Sequence, residues 1–262
     1  MFTRKFSGRP RKPGSDTART FSCPQNDRRW WALSIVESNS LLALVLCGGK
    51  SVRMNRDKGL LSLNGEPQFL NAARILSGVF SSVPSKVVPE VAVSVRSEQI
   101  SSYKNALHDA VCAATVDAKI PRITFITDSD NIKIGGPLKG ILSAHEKHPE
   151  KDLLVLAVDY FSMLTAPLSV LMELYTENRN TKENNYDAIC WAINKRPEPL
   201  CAIYTASFLS HIYTEITSKK NTLDSARQWL LKGRTLLKEV PPELISAFKN
   251  YNYAQDLAIH KK

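Results

Sequence analysis

The sequence has no apolar run that approaches the roughly 18 residues needed to cross a bilayer, so we expect no membrane association. It also has no CxxC pair, and its five cysteines are odd in number and widely spaced. This argues against a disulfide framework or a zinc site and favours a reducing compartment. The GxxxxGK[ST] and GxGxxG motifs are missing too, which disfavours the standard P-loop and dinucleotide folds. We therefore expect a cytoplasmic protein whose cysteines are mostly buried, small apolar residues.

Positive charge is concentrated at the amino terminus. The 262 residues carry a formal net charge of +10, and residues 1–40 alone supply +5 through eight Lys/Arg against three Asp/Glu. The remainder is only mildly basic and shows no nucleic-acid motif, which argues against a nucleic-acid-binding protein. Residues 1–39 contain Pro10 and Pro13 and lack the apolar core of a secretory signal. We predict a basic, disordered extension over 1–39, alternatively an anion- or partner-binding tail, and a folded domain over 40–262.

From Leu41 onward the pattern alternates between strands and helices. Leu41–Leu46 is a continuous apolar run between turn signals, which is typical of a strand covered on both faces. The repeating order predicts an α/β fold with a single doubly wound, mostly parallel sheet and helices on both faces. Residues 176–186 are predicted to form an exposed loop. The further predicted strands are Glu90–Arg96, Arg122–Thr127, Leu153–Val158, Asp187–Asn194, Leu200–Tyr204 and Thr235–Val240.

Two glycines directly follow the first predicted strand. Gly48 and Gly49 allow the backbone to approach a ligand closely, and the cations behind them suit a polyphosphate. Lys58 would touch the α-phosphate, where charge develops as pyrophosphate leaves, and Arg53 would reach the outer phosphates. The alternative for this segment is a solvated basic loop.

Polar residues also follow three later strands. Ser94, Asp128 and Asp159 lie at predicted carboxyl ends, where open parallel sheets bind their ligands. Asp159 ends a purely apolar strand, where a carboxylate is costly unless it binds something. A Mg²⁺ ion shared with substrate phosphates would supply that partner. The alternatives are a helix N-cap for Asp159 and a turn residue for Asp128.

Five motifs, in order over about Leu41–Ala258, resemble those of one family. LVLCGGKSVRMNRDKGLLSLNGEP is similar to the LAGGxSxRMGxDKxLLxLxGxP signature of the molybdenum cofactor guanylyltransferases, the MobA family. IGGPLKGI resembles the family's GPLxGI, and LAVDY stands where the family has cysteine-Asp-x-Pro. PLCAIY and NYN…DL resemble PLCALY and NxNTPEDL. Asp57 before Lys58 also distinguishes the chain from related sugar-nucleotide and cytidylyl transferases, which typically carry proline there.

The resemblance implies a Rossmann-like nucleotidyltransferase fold and transfer of GMP from GTP to molybdopterin. Pyrophosphate would be released and the molybdopterin guanine dinucleotide cofactor formed. Mg²⁺ is the implied cofactor, with Asp159 as its ligand, and Lys58, Arg53 and Asp159 are the implied catalytic residues. The implied nucleotide-binding residues are Leu46, Cys47, Gly48, Gly49, Lys58, Ser94, Asp128 and Asp159. The candidates for the molybdopterin side are Lys195, Arg196 and Asn252.

Several positions depart from the family pattern, but none removes a charge that the chemistry needs. Cys47 replaces an alanine, Asn55 a glycine and Phe161 a proline, and Ser94 stands where asparagine is common. The alternatives are a relative that uses CTP or another acceptor, and a catalytically silent nucleotide-binding protein. We expect a monomer or weak homo-oligomer with transient contacts to molybdopterin-carrying proteins or molybdoenzymes.

Overall fold

A computed structural model describes residues 40–48, 57–63, 65–80, 90–114, 120–181, 185–218 and 223–250. The predicted extension over 1–39 therefore lies outside the described residues, as do Gly49, Arg53, Asn55 and Asn252.

Strands and helices alternate along the described chain, as the sequence predicts. The α-helices are α1 (Gln68–Phe80), α2 (Ile100–Ala113), α3 (Gly136–Lys147), α4 (Thr165–Asn180), α5 (Ala206–Thr217) and α6 (Ala226–Lys232). Short 3-10 turns cover Lys58–Leu60, Ser97–Gln99 and Pro242–Phe248. The strands are β1 (Leu41–Leu46), β2 (Ser62–Leu63), β3 (Glu66–Pro67), β4 (Glu90–Val95), β5 (Arg122–Thr127), β6 (Asp152–Ala157), β7 (Ala188–Ile193), β8 (Arg196–Tyr204) and β9 (Thr235–Glu239).

Seven of these strands form one sheet in the order β5-β4-β1-β6-β8-β7-β9. Strands β1, β4, β5 and β6 run parallel, whereas β8 is antiparallel to both of its neighbours and β9 is parallel to β7. We call the edge where β1, β4, β5 and β6 end the carboxyl edge, and the opposite edge the amino edge. Because β8 runs the other way, it begins at the carboxyl edge. The predicted mostly parallel α/β sheet is confirmed.

The central strands are covered on both sides, which explains the uninterrupted apolar run of β1. All six residues of β1 are buried. Val45 belongs to the core cluster formed with α1, α2 and α4, whereas its neighbour Leu44 belongs to the cluster formed with α3, α5 and α6. This alternation follows from the two-residue repeat of a strand. The helices therefore lie on both faces of the sheet, as predicted.

Two predicted boundaries were wrong. Strand β8 begins at Arg196 rather than Leu200, because the hairpin turn occupies only Asn194 and Lys195, both with positive φ. Helix α4 continues to Asn180, into the predicted exposed loop. Thr176, in this part of α4, is buried, and its hydroxyl donates a hydrogen bond to a carbonyl of the helix backbone. The prediction of an exposed loop was wrong because it relied on polar composition alone.

Three of the four described cysteines are buried, as expected for small apolar core residues. Cys47, Cys190 and Cys201 are buried and Cys112 is exposed, and all four are free thiols.

Among the described helices, none combines the length and apolar character that a bilayer crossing demands.

Candidate active site

The ends of three neighbouring strands are held in register at the carboxyl edge. The Cys47 amide donates to the Ser94 carbonyl at 2.9 Å, and the Val158 amide donates to the Leu46 carbonyl at 3.1 Å. The ladder pairing thus continues just beyond β1 on both sides. As a result, Gly48 leaves β1 at the same edge at which Asp159 leaves β6.

Lys58 and Asp159 meet at this edge although they are far apart in sequence. Lys58 Nζ lies 3.8 Å from Asp159 Oδ2, and the two side chains are only 14% and 21% exposed. Burial raises the pKa of the Asp159 carboxyl, and the Lys58 cation opposes that shift. Lys58, which was predicted to bind phosphate, and Asp159, which was predicted to bind a metal ion, therefore form an ion pair in the folded chain.

Asp159 has an unfilled acceptor that suits a metal ion. Its Oδ1 atom is buried and has no hydrogen-bond partner among the described residues. A buried carboxylate oxygen is costly in that state unless a ligand satisfies it. No group of three or more His, Cys, Asp or Glu side chains within the described ranges could hold a metal without help. The site therefore fits a Mg²⁺ ion that takes one protein carboxylate and completes its shell with phosphates and water.

A second set of polar groups lies beside Gly48. A Cβ atom placed on Gly48 would be 3.8 Å from Arg96 Cγ and 4.0 Å from both carboxylate oxygens of Asp128. Burial raises the pKa of Asp128, and the cations of Lys139 and Arg96 oppose the shift. Gly48 therefore lies beside an acidic residue that two cations accompany, at distances that would also accommodate a Cβ atom. Asp128 and Gly48 are brought together as the strand ends predict.

Helix α3 is tied to the segment that follows β5. The Ser129 amide donates to Ser143 Oγ at 2.8 Å, and Ser143 Oγ donates to the Lys139 carbonyl at 2.8 Å. Lys139 lies one helical turn before Ser143 and therefore on the same face of the helix. No specific role was predicted for Lys139 or Arg96, although Lys139 fills the variable position of the GPLxGI motif and Arg96 ends the predicted strand Glu90–Arg96.

Ser94 is buried beneath α3. It is 1% exposed, and its Oγ atom has no hydrogen-bond partner among the described residues. A Cβ atom on Gly140 would lie only 2.6 Å from Ser94 Oγ and 3.2 Å from Leu46 Cδ2, so α3 approaches the strand ends closely. The predicted contact of Ser94 with the nucleotide remains a prediction.

The remaining predicted residues are placed as follows. Leu46 and Cys47 are buried and contribute backbone groups to the edge. The Lys195 amide, in the β7–β8 turn, donates to Glu239 Oε1 at 2.7 Å, and Arg196 is exposed at the start of β8. Gly49 and Arg53 lie outside the described residues.

Two features of this edge were missed from the sequence. Asp57 accepts hydrogen bonds from Gln99 and Tyr103, 42 and 46 residues away. Glu198 at the start of β8 accepts a hydrogen bond from the Tyr160 hydroxyl at 3.1 Å, next to Asp159. Only the antiparallel direction of β8, which no local pattern reveals, brings Glu198 to this edge.

Known proteins resemble the chain in sequence and in fold. A protein of Methanothermobacter thermautotrophicus described as a probable molybdenum cofactor guanylyltransferase is 28% identical over 215 residues, 82% of this chain and 96% of that protein. The crystal structure of molybdopterin-guanine dinucleotide biosynthesis protein A from Archaeoglobus fulgidus matches with a TM-score of 0.55 at 22% identity. That match covers 83% of this chain and 95% of the other.

A more distant structure shares the same architecture. The 4-diphosphocytidyl-2C-methyl-D-erythritol synthase of Anaerococcus prevotii matches with a TM-score of 0.55 at 9% identity, over 85% of this chain and 97% of the other. At such identities the structural likeness shows the fold alone. The family model of the MobA-like NTP transferase domain, however, matches residues 43–235, most of the described sheet. The chain therefore belongs to the family of MobA-like NTP transferase domains.

Proposed function

We propose that this nucleotidyltransferase transfers GMP from GTP to the phosphate of molybdopterin and forms the guanine dinucleotide cofactor. The observation that carries the proposal is the Lys58–Asp159 pair, at 3.8 Å, with a buried carboxylate oxygen that lacks a partner among the described residues. The name of the archaeal sequence relative supports the guanylyl and molybdenum cofactor assignments.

In the proposed reaction, an oxygen of the molybdopterin phosphate forms a bond to the α-phosphorus of GTP. The bond from that phosphorus to the bridging oxygen breaks, and pyrophosphate leaves with the electron pair. Such a transfer depends on positioning and charge neutralisation more than on covalent catalysis. Lys58 would bind the α-phosphate and stabilise the charge that develops there.

The other residues of the edge would hold the nucleotide. Gly48 would bring backbone close to the phosphates, while Asp128 and Ser94 would border the ribose and base. Asp159 would hold a Mg²⁺ ion, which when bound neutralises phosphate charge and orients the leaving group. Arg53 would meet the outer phosphates, and Lys195, Arg196 and Asn252 remain candidates for the acceptor side.

The test is an assay of purified protein with molybdopterin, Mg²⁺ and one nucleoside triphosphate at a time. We expect pyrophosphate and a dinucleotide product with GTP, and no pyrophosphate when molybdopterin is omitted. Both products should disappear when Mg²⁺ is removed with a chelator and return when it is restored.

Each other outcome rejects part of the proposal. Turnover of CTP with GTP inert would overturn the guanine assignment. Tight binding of Mg²⁺ and GTP without product would instead identify a silent nucleotide-binding protein. Pyrophosphate release with a different phosphorylated acceptor, and none with molybdopterin, would overturn the acceptor.

A further inference from the structure

Asp57 is an anchor for the turn that carries Lys58. Its Oδ1 atom accepts hydrogen bonds from the Gly59 amide at 3.0 Å and from the Tyr103 hydroxyl at 2.7 Å. Its Oδ2 atom accepts from Gln99 Nε2 at 2.5 Å. Asp57 thereby caps the 3-10 turn Lys58–Leu60 and ties it to α2 and to the turn before α2.

The partners of Asp57 are themselves fixed. Gln99 Oε1 accepts from the Arg96 amide at 2.9 Å and from Arg96 Nε at 3.3 Å. The amide of Gln99 can therefore offer only its NH₂ group to Asp57. This arrangement links the anchor to the end of β4, the strand that also supplies Ser94.

Tyr103 is held rigidly in the core. It is fully buried, and its ring centroid lies 5.0 Å from that of Phe69 and 6.3 Å from that of Phe125. Its ring and hydroxyl lie so close to Gly59 that a Cβ atom on this glycine would overlap the Tyr103 oxygen. The turn that carries Lys58 therefore rests directly on an immobile aromatic side chain.

The same tyrosine reaches the other side of the glycine loop. Tyr103 also interacts electrostatically with Cys47, the residue before Gly48, in addition to its hydrogen bond to Asp57. Burial keeps both the thiol and the phenol neutral, because it raises the pKa of each group. One buried tyrosine thus interacts with Cys47 and Asp57, the residues immediately before and after the sequence 48–56.

We propose that Asp57 and Tyr103 are positioning residues that fix Lys58 opposite Asp159. The inference rests on the proposed function, in which Lys58 meets the α-phosphate. A lysine side chain has many rotamers, so a backbone fixed on the core limits where its ammonium group can lie. Errors of about 1 Å in such a group can cost on the order of a hundredfold in rate. The anchor would act on the rate of transfer through Lys58 and would itself touch no substrate.

The chain offers a matched control for Tyr103. The Tyr175 hydroxyl donates to Asp152 Oδ2 at 2.7 Å, the same distance as the bond from Tyr103 to Asp57. Both tyrosines are fully buried, but Asp152 is the first residue of β6 and so lies at the amino edge. Tyr103→Phe and Tyr175→Phe therefore remove equivalent hydroxyls at opposite edges of the sheet.

The experiment compares these two variants in the full chain. We expect Tyr103→Phe to lower kcat about tenfold or more, with KM for GTP changed less than about threefold, because the defect lies in aligning the transition state. Tyr175→Phe should keep kcat within about twofold of the parent after correction for the folded fraction.

A second series compares Asp57→Asn with Asp57→Ala. Asp57→Asn keeps an acceptor for Gly59 and Tyr103, so its kcat should be higher than that of Asp57→Ala.

Hydrogen exchange of residues 58–61 separates a failed anchor from a failed function. Exchange there should rise in Tyr103→Phe and stay unchanged in Tyr175→Phe, whatever reaction the protein catalyses. If the parent protein turns over no nucleotide, the proposed function fails while the exchange result still decides on the anchor. Equal kcat values in the two variants, a change in KM alone, or unchanged exchange would each overturn the inference.

Discussion

Asp152 and Asp159 lie at opposite edges of the sheet and differ in how completely the protein satisfies their carboxylate oxygens. At the amino edge, Asp152 accepts hydrogen bonds from the Tyr175 hydroxyl at 2.7 Å, the Ala206 amide at 2.7 Å and Arg179 Nη1 at 3.1 Å. At the carboxyl edge, Asp159 has Lys58 at 3.8 Å, and its buried Oδ1 lacks a hydrogen-bond partner among the described residues. The protein thus satisfies both oxygens of the first carboxylate, whereas one oxygen of the second keeps an acceptor that the described residues do not use.

Asp57 lies near Asp159, but its hydrogen bonding resembles that of Asp152. Like Asp152, it uses both oxygens on protein donors that include a buried tyrosine. It stands next to Lys58, which faces the incompletely satisfied Asp159. In the proposed site, the fully bonded Asp57 would hold the turn that carries Lys58 in position before substrate binds.

The largest effects are expected when Asp159 and Asp152 are each replaced by alanine. Asp159→Ala should remove turnover, a loss of about 10³-fold or more, because the Mg²⁺ ion that would neutralise the phosphates loses its protein ligand. Its folding stability should be unchanged or slightly higher, since a costly buried carboxylate disappears. Asp152→Ala should lose about 3 kcal/mol of unfolding free energy, because buried donors are left unpaired.

Denaturant unfolding and initial rates at saturating substrates measure both quantities for each variant. Full activity in Asp159→Ala would refute its role as metal ligand. If Asp159→Ala lost as much unfolding free energy as Asp152→Ala, the two aspartates would contribute equally to folding, contrary to the expected difference.

A smaller effect is expected from two helical glycines with different surroundings. In Gly140→Ala the new Cβ would lie 2.6 Å from Ser94 Oγ, which should push α3 away and cost about 1–3 kcal/mol. In Gly78→Ala the new Cβ would meet Thr165 at ordinary contact distances of 3.6 and 3.7 Å. That variant should be neutral or up to about 1 kcal/mol more stable, because alanine favours the helix.

Thermal unfolding and the KM for GTP test this pair. We expect KM to rise only in Gly140→Ala, because α3 borders Ser94 and Asp128 at the proposed nucleoside site. A stable Gly140→Ala with an unchanged KM would show that the close approach of α3 is incidental to nucleotide binding.

The smallest expected effect concerns His145, which lies on α3 and donates to or accepts from Ser210 Oγ at 3.1 Å. Burial lowers its pKa from the ordinary value of 6.5, and Glu150 opposes the shift. The unfolded chain therefore binds the proton more readily, so stability is complete above pH 6.5 and falls as the pH drops through that value.

Unfolding free energies of the parent and of His145→Gln between pH 7.5 and 5.5 measure the effect, over a window set by the ordinary histidine value. The parent should lose more stability on acidification than the variant. Parallel curves would mean that protonation of His145 is not coupled to folding. The buried His145 Nδ1, which has no hydrogen-bond partner within the described part of the chain, would then have no measurable effect on folding.

The sequence allowed the sheet and the convergence of Gly48, Asp128 and Asp159 at one edge to be predicted for a simple reason. Apolar strands reveal themselves by composition, and parallel strands bring their carboxyl ends to one edge. The Asp57 anchor could not be predicted, because its partners Gln99 and Tyr103 become neighbours only after β4 and α2 are packed. The start of β8 was misplaced because Arg196–Glu198 has the polar composition of a loop.

The inverted strand β8 also dictates an order of assembly. Strands β7 and β9 reach the parallel half of the sheet only through β8, which pairs with β6 on one side and β7 on the other. Since β7 precedes β8 in the chain, it must wait until its successor has been synthesised. The tight Asn194–Lys195 turn joins the two strands directly, so that they can pair with each other as one hairpin before β8 pairs with β6.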